Sequence, residues 1–188
     1  MPYRERGYWY YTRYETGKDY PIVARRKGDM QAAEEIMMDE NAMAEGHAFF
    51  NVGDSEVSQD NALLAYADDT IGRRQYVLRV KDLATGKLLA DEVPNIEPNI
   101  VWADDNRTIF YVEKDPVTLL SKRVKTHVLG TPHADDEVVY EEADDTFYVH
   151  VSRTRSDKFV CITSDSTVST EVRCTPAAAP GAFAVIAP

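Results

Sequence analysis

The amino-acid sequence predicts an all-β fold, a partial β-propeller of about four blades, each a sheet of four antiparallel strands. Three observations carry that prediction. Short runs of β-forming residues recur between turn residues along the chain. The second run of each group superposes on the others at intervals of about 50 residues. No long amphipathic stretch lies between the groups to supply a helical layer.

The repeat is plainest from Pro98 to Glu142, where Val101-Trp102, Thr108 to Val112, the apolar/basic stretch Leu120 to Leu129 and Glu137 to Glu141 are separated by turn residues. Four such runs in about 45 positions match the size of one blade. The strings Gly7-Tyr8-Trp9-Tyr10, Asn61-Ala62-Leu63-Leu64, Asn106-Arg107-Thr108-Ile109 and Ser156-Asp157-Lys158-Phe159 each set a small or turn-forming residue before an apolar strand. Tyr10, Leu64, Ile109 and Phe159 then correspond. The predicted units are residues 2–40, 47–93, 98–142 and 146–188.

Within the first unit, Tyr8 to Tyr14 reads as an aromatic strand, and Tyr20 to Arg26 returns after the turn Glu15-Thr16-Gly17-Lys18-Asp19. Gln31 to Ala44 has the Ala, Glu and Met content of a helix, but the repeat requires an outer strand at Glu35 to Met38, and the strand is preferred. In the second unit, Val57 to Asn61 closes an inner strand in a turn and Leu63 to Asp68 follows. Tyr76, Leu78 and Val80 alternate on one face, and Ala84-Thr85-Gly86-Lys87 reverses the chain into Leu88 to Val93. The fourth unit runs from Phe147 to Val151, through Phe159 to Ser164 and Thr167 to Arg173, to Ala182 to Ile186.

Composition excludes several classes of function. The formal net charge of −11 argues against a nucleic-acid partner, which demands a basic face. No run of about 18 apolar residues is present to cross a bilayer, and the amino end lacks the basic-then-apolar pattern of a secretory signal. Cys161 and Cys174 follow no framework spacing, so the reading is of two free thiols in a reducing, cytoplasmic compartment.

Particular strings resemble a known family. Pro2-Tyr3 with Gly7 to Tyr11 and the Thr16-Gly17-Lys18 turn resembles the first propeller blade of the prolyl oligopeptidase family of serine peptidases. Gly72-Arg73-Arg74-Gln75-Tyr76, Asp82 to Gly86, Glu97-Pro98 before Val101-Trp102-Ala103, Asp115 to Leu120, His127 with Leu129-Gly130-Thr131, and Val139 to Glu142 are most similar to its oligopeptidase B (protease II) branch. The resemblance covers nearly all of Pro2 to Arg173. It implies a seven-bladed propeller acting as the lid of an α/β-hydrolase domain, in a cytosolic enzyme that cleaves short peptides after Arg or Lys. About four blades of the seven are present and the hydrolase domain is not, so the chain by itself is expected to be inactive, with the peptidase domain and short basic peptides as its partners. The alternative reading is a free-standing β-propeller interaction module without peptidase activity. An open arc of blades is also expected to self-associate.

Candidate chemistry within the chain is sparse. Gly53-Asp54-Ser55-Glu56-Val57 lacks the second Gly of a nucleophile elbow and runs into a strand rather than a helix, so no catalytic residue is assigned. His47, His127, His133 and His150 have no metal-site spacing to each other or to the cysteines, and no metal or cofactor is assigned. The carboxylates from Asp135 to Asp145 lack the pattern of a calcium loop. They read as solvated turns, or as an acidic rim that draws in basic peptides. Asn106-Arg107-Thr108 matches a glycosylation pattern by chance. Trp102 reads as packing between blades. Arg73 and Arg74 are the candidate contact residues: two guanidinium groups before a strand suit a carboxylate latch onto the domain that a lid covers.

Overall fold

The computed structural model describes residues 1–187; Pro188, the last residue of the fourth predicted unit, lies outside the described residues. The first sheet holds β1 (Tyr3–Glu5), β2 (Tyr8–Arg13), β3 (Ile22–Lys27) and β4 (Glu34–Asp39) in that order, followed by one helical turn, α1 (Glu40–Met43). The middle sheet has seven strands: β5 (Asn51–Val57), β6 (Leu63–Asp69), β7 (Tyr76–Asp82), β8 (Leu88–Trp102), β9 (Thr108–Lys114), β10 (Ser121–Val128) and β11 (Glu137–Glu141). The last sheet holds β12 (Tyr148–Arg153), β13 (Phe159–Asp165), β14 (Thr170–Pro176) and β15 (Ala184–Ala187). Every pairing is antiparallel between sequence neighbours. The result is the all-β partial propeller, four units of four strands in an arc.

The seven-stranded sheet is two units sharing one strand. The first half of β8 pairs with β7 (Leu78 opposite Val93), and the second half pairs with β9 (Trp102 opposite Ile109). Pro94 and Pro98 lie inside it. Proline has no N–H to give a ladder, and both fall where the register shifts, Pro98 between the paired Ile96 and Ile100. A strand that the two prolines appeared to divide is therefore continuous.

Central strands are apolar on both faces because each unit is sandwiched. On β6, Leu64 and Tyr66 pack with Tyr10, Met37 and Met38 of the first unit, while Ala65 and Ala67 face Leu78, Ile100, Trp102 and Tyr111. On β9, Ile109 and Tyr111 join that second cluster, and Phe110 and Val112 join a third with Val149, Val151, Val160 and Ile162. Three apolar layers thus hold four units, each fully buried side chain contributing about 1.5–3 kcal/mol.

Two expectations are corrected. The left-handed turn residue before the second strand of each unit is Gly7, Asn61, Asn106 and Asp157, so the fourth strand aligns one position later. Val160, fully buried, takes the place assigned to the exposed Phe159. Cys161 and Cys174 are not free thiols. They stand opposite each other on β13 and β14, with Cα atoms 4.1 Å apart, and are joined as a disulfide. A hairpin register brings residues 13 apart face to face, which spacing alone does not reveal. The cysteine argument for a reducing compartment therefore loses its premise.

Candidate functional site

The innermost strands β1, β5, the second half of β8, and β12 stand side by side and wall a cavity of about 580 Å³, open to solvent. Charged side chains from several units converge on this lumen.

A repeated device fixes its wall. Asp54 and Asn99 stand three residues before Val57 and Trp102, the inner-strand residues that pair with Leu64 and Ile109. Asp54 Oδ2 accepts the Ile100 N–H of the next inner strand at 2.9 Å. Asn99 does the same one unit on, accepting the Val151 N–H at 2.6 Å and donating to the Val151 carbonyl at 2.8 Å. Links also run backwards: the Trp102 indole N–H donates to the Glu56 carbonyl at 2.9 Å, and Arg153 donates to the Trp102 carbonyl at 2.7 Å. Arg6 reaches the Val57 carbonyl at 3.2 Å. Four inner strands are thereby stitched by side chains where no β ladder joins them.

Onto this wall project Tyr3, Glu5, Asp54 and Glu56. Solvent reaches the Glu56 carboxyl through the lumen, yet protein surrounds it, and its pKa is pushed up to about 7 by burial, then by the charges of Asp54 and Glu5. Burial also raises Asp54, against the backbone hydrogen bonds from Ile100 and Ser55. Tyr3 is pushed up to about 12 by burial, then by Glu5 and Glu56. Glu5 is held by Arg6 at 2.7 Å. The lining carries both signs of charge, with Arg6, Arg153 and Arg155 beside Glu5, Asp54, Glu56 and Asp157. Among the described residues, the histidine side chains that make polar contacts, His127 and His150, face carboxylates rather than a hydroxyl or thiol.

Over residues 1–188 the chain matches the family described as prolyl oligopeptidase, N-terminal beta-propeller domain. The chain belongs to that family. It is 60% identical to the dipeptidyl aminopeptidase BI of Pseudoxanthomonas mexicana, covering 100% of this chain and 28% of that protein. It is 33% identical to Protease 2 of Moraxella lacunata, covering 92% of this chain and 26% of that one. Among solved structures, oligopeptidase B from Leishmania major superposes with a TM-score of 0.93 at 32% identity, over all of this chain and 27% of that one. Oligopeptidase B from Trypanosoma brucei gives 0.89 at 28% identity, again over all of this chain and 27% of that one. The chain spans little more than a quarter of the length of the curated relatives named here.

The prolyl oligopeptidase propeller explains most of the motifs seen in sequence. Gly53 has no elbow role: a Cβ there would stand 2.4 Å from Pro98 Cβ and 2.6 Å from the Tyr76 ring, so glycine lets β5 pass beneath β8. Trp102 packs in the layer between the second and third units. The acidic stretch divides: Asp136 is buried against His127 and Tyr111, Glu142 accepts from Tyr140 and Ser164, and exposed Asp145 pairs with half-buried Lys122. It is not one rim. Arg73 and Arg74 are exposed in the β6–β7 loop, which the buried Asp69 carboxylate caps by accepting the N–H groups of Ile71, Gly72 and Arg74 at 2.8–2.9 Å. Arg74 adopts a left-handed φ of 57°, and its carbonyl accepts from Lys114 at 3.0 Å. Asp69 ties the backbone of the loop, and among the described residues neither guanidinium group forms an ion pair. Sequence reasoning missed the lumen residues Glu5, Asp54, Glu56 and Asn99. For Asp54 and Asn99 the signal was positional: an Asx three residues before the end of an inner strand, recurring in successive units.

Proposed function

We propose that this chain is the lid portion of a prolyl oligopeptidase-family peptidase, with residues 2–40, 47–93, 98–142 and 146–188 as successive blades, inactive without a catalytic domain. The observation that carries the reading is the match of the whole chain to the family's propeller, while the curated relatives named here extend to more than three times its length. The carboxylates Glu5, Asp54 and Glu56 on the lumen wall support passage of short basic peptides, and the oligopeptidase B branch, cleaving after Arg or Lys, is supported by the two oligopeptidase B structures. A second reading has its own support. The 60% identical relative is named as a dipeptidyl aminopeptidase, which favours removal of dipeptides from a free amino end. Cytoplasmic placement rests on the family resemblance alone; among the described residues no helix is long and apolar enough to cross a membrane. Arg73 and Arg74 are the proposed latch to the catalytic domain.

The test is an assay of the uninterrupted gene product on two fluorogenic substrates, one blocked at its amino end with Arg before the scissile bond, the other a free dipeptidyl amide. Turnover of the blocked substrate supports the oligopeptidase B reading, and turnover of the free dipeptidyl amide alone supports the second. Hydrolysis of neither removes the peptidase reading. Replacing Arg74 by Ala in the same protein should change turnover or its salt dependence, and unchanged kinetics across ionic strengths would rule out the latch.

A further inference from the structure

Most charges on the lumen wall already have partners within the fold. Glu5 is paired with Arg6 at 2.7 Å, and Asp54 accepts the Ser55 N–H at 2.8 Å and the Ile100 N–H at 2.9 Å. Arg153 donates to the Trp102 carbonyl, to Asp104, and to both the carboxylate and the carbonyl of Asp157. Two charged side chains of the lining are left over. Among the described residues, Glu56 on β5 has neither a hydrogen-bond donor nor an ion pair for its carboxyl, and Arg155, in the turn between β12 and β13, has neither an acceptor nor an ion pair for its guanidinium.

These two have opposite signs and come from different units, the second and the fourth, yet border one cavity of about 580 Å³. That volume lies within the range of about 300–1,000 Å³ typical of small-molecule sites. A carboxylate crowded by protein without a donor is costly, and a guest ammonium relieves the cost by supplying three N–H donors. The burial that pushes the Glu56 pKa up to about 7 has the same origin. Arg155 offers a planar fork that a carboxylate meets with two parallel hydrogen bonds. A guest of positive charge alone would satisfy Glu56 while facing Arg155, and a guest of negative charge alone would meet the reverse. A guest with one charge of each sign, set at its two ends, satisfies both.

We propose that the lumen holds a binding site for short peptides with both ends free, the α-ammonium taken by Glu56 and the terminal carboxylate by Arg155. The proposal rests on the peptidase reading for the source of the ligand. Hydrolysis adds water across a peptide bond, leaving a carboxylate on one fragment and an amine on the other, so a released dipeptide carries both groups.

The experiment is a calorimetric titration of the uninterrupted gene product, treated beforehand with a fluorophosphonate to block a reactive serine. The probe is alanyl-alanine in three forms: free, acetylated at the amine, and amidated at the carboxyl. Neutral side chains leave only the ends to carry charge. The free form is expected to bind, and blocking either end should weaken binding about tenfold or more, the loss of one charge-assisted pair. Glu56→Gln should cost the free dipeptide a similar factor and leave the acetylated form unaffected. Arg155→Gln should cost the free dipeptide likewise and leave the amidated form unaffected. Glutamine keeps the shape of Glu56, and Arg155 lies in an exposed turn, so both variants retain the fold. No binding of the free dipeptide, equal affinity for the three forms, or undiminished affinity in either variant overturns the site. A gene product that takes up no fluorophosphonate removes the peptidase reading, while the same titration still decides the site.

Discussion

Gly53 and Glu56 sit three residues apart on β5, and each turns a local constraint into a measurable quantity. At Gly53 the constraint is space, since Pro98 and the Tyr76 ring occupy the volume that a Cβ needs. Gly53→Ala should destabilise the fold by about 1–3 kcal/mol or more through forced displacement of β8, read by chemical denaturation. At Glu56 the constraint is charge. A carboxyl whose pKa is raised to about 7 in the fold, against about 4.3 when unfolded, binds its proton more tightly in the native state, so stability declines as pH rises from about 4 to 7. Glu56→Gln removes that decline, leaving the unfolding midpoint nearly unchanged at pH 4 and raising it at pH 8. An equal shift at both pH values would contradict the assignment.

Elements show why part of the fold was readable and part was not. The second strand of each unit is announced by a residue that tolerates a left-handed turn, Gly7, Asn61, Asn106 and Asp157, and that chemistry is local. Tyr76, Leu78 and Val80 likewise betray their strand by alternation, and all three are buried on one side. The span of β8 was hidden because two prolines interrupt it, and bulges that accommodate proline are set by neighbouring strands rather than by sequence. His127 was hidden for a similar reason: Asp91 is 36 residues away and meets it only through the packing of two units. The disulfide was hidden by register. The lumen stitching is the element-scale feature most open to test. Asn99 makes two hydrogen bonds to Val151, so Asn99→Leu should cost about 1–3 kcal/mol and speed amide hydrogen exchange at Val151, loosening the last sheet before the others.

The whole molecule is an arc with two uncovered faces. Three apolar layers join four units, but Tyr148 and Phe159 remain 55% and 42% exposed on the side of the last sheet turned away from its neighbour. Cys161 lies on that same side, two residues from Phe159. Apolar sheet faces of this kind seek partners, so the isolated chain should associate with itself as concentration rises. Sedimentation velocity is the check, and a single well-folded monomer at high concentration would contradict the expectation. The central claim is that these sheets form a peptidase lid whose bond-breaking groups lie outside residues 1–188. Labelling the active uninterrupted gene product with a fluorophosphonate, followed by peptide mapping, tests it most directly. The account predicts one modified serine beyond residue 188 and none within it; a label on Ser55, or on any other serine of this chain, would contradict it.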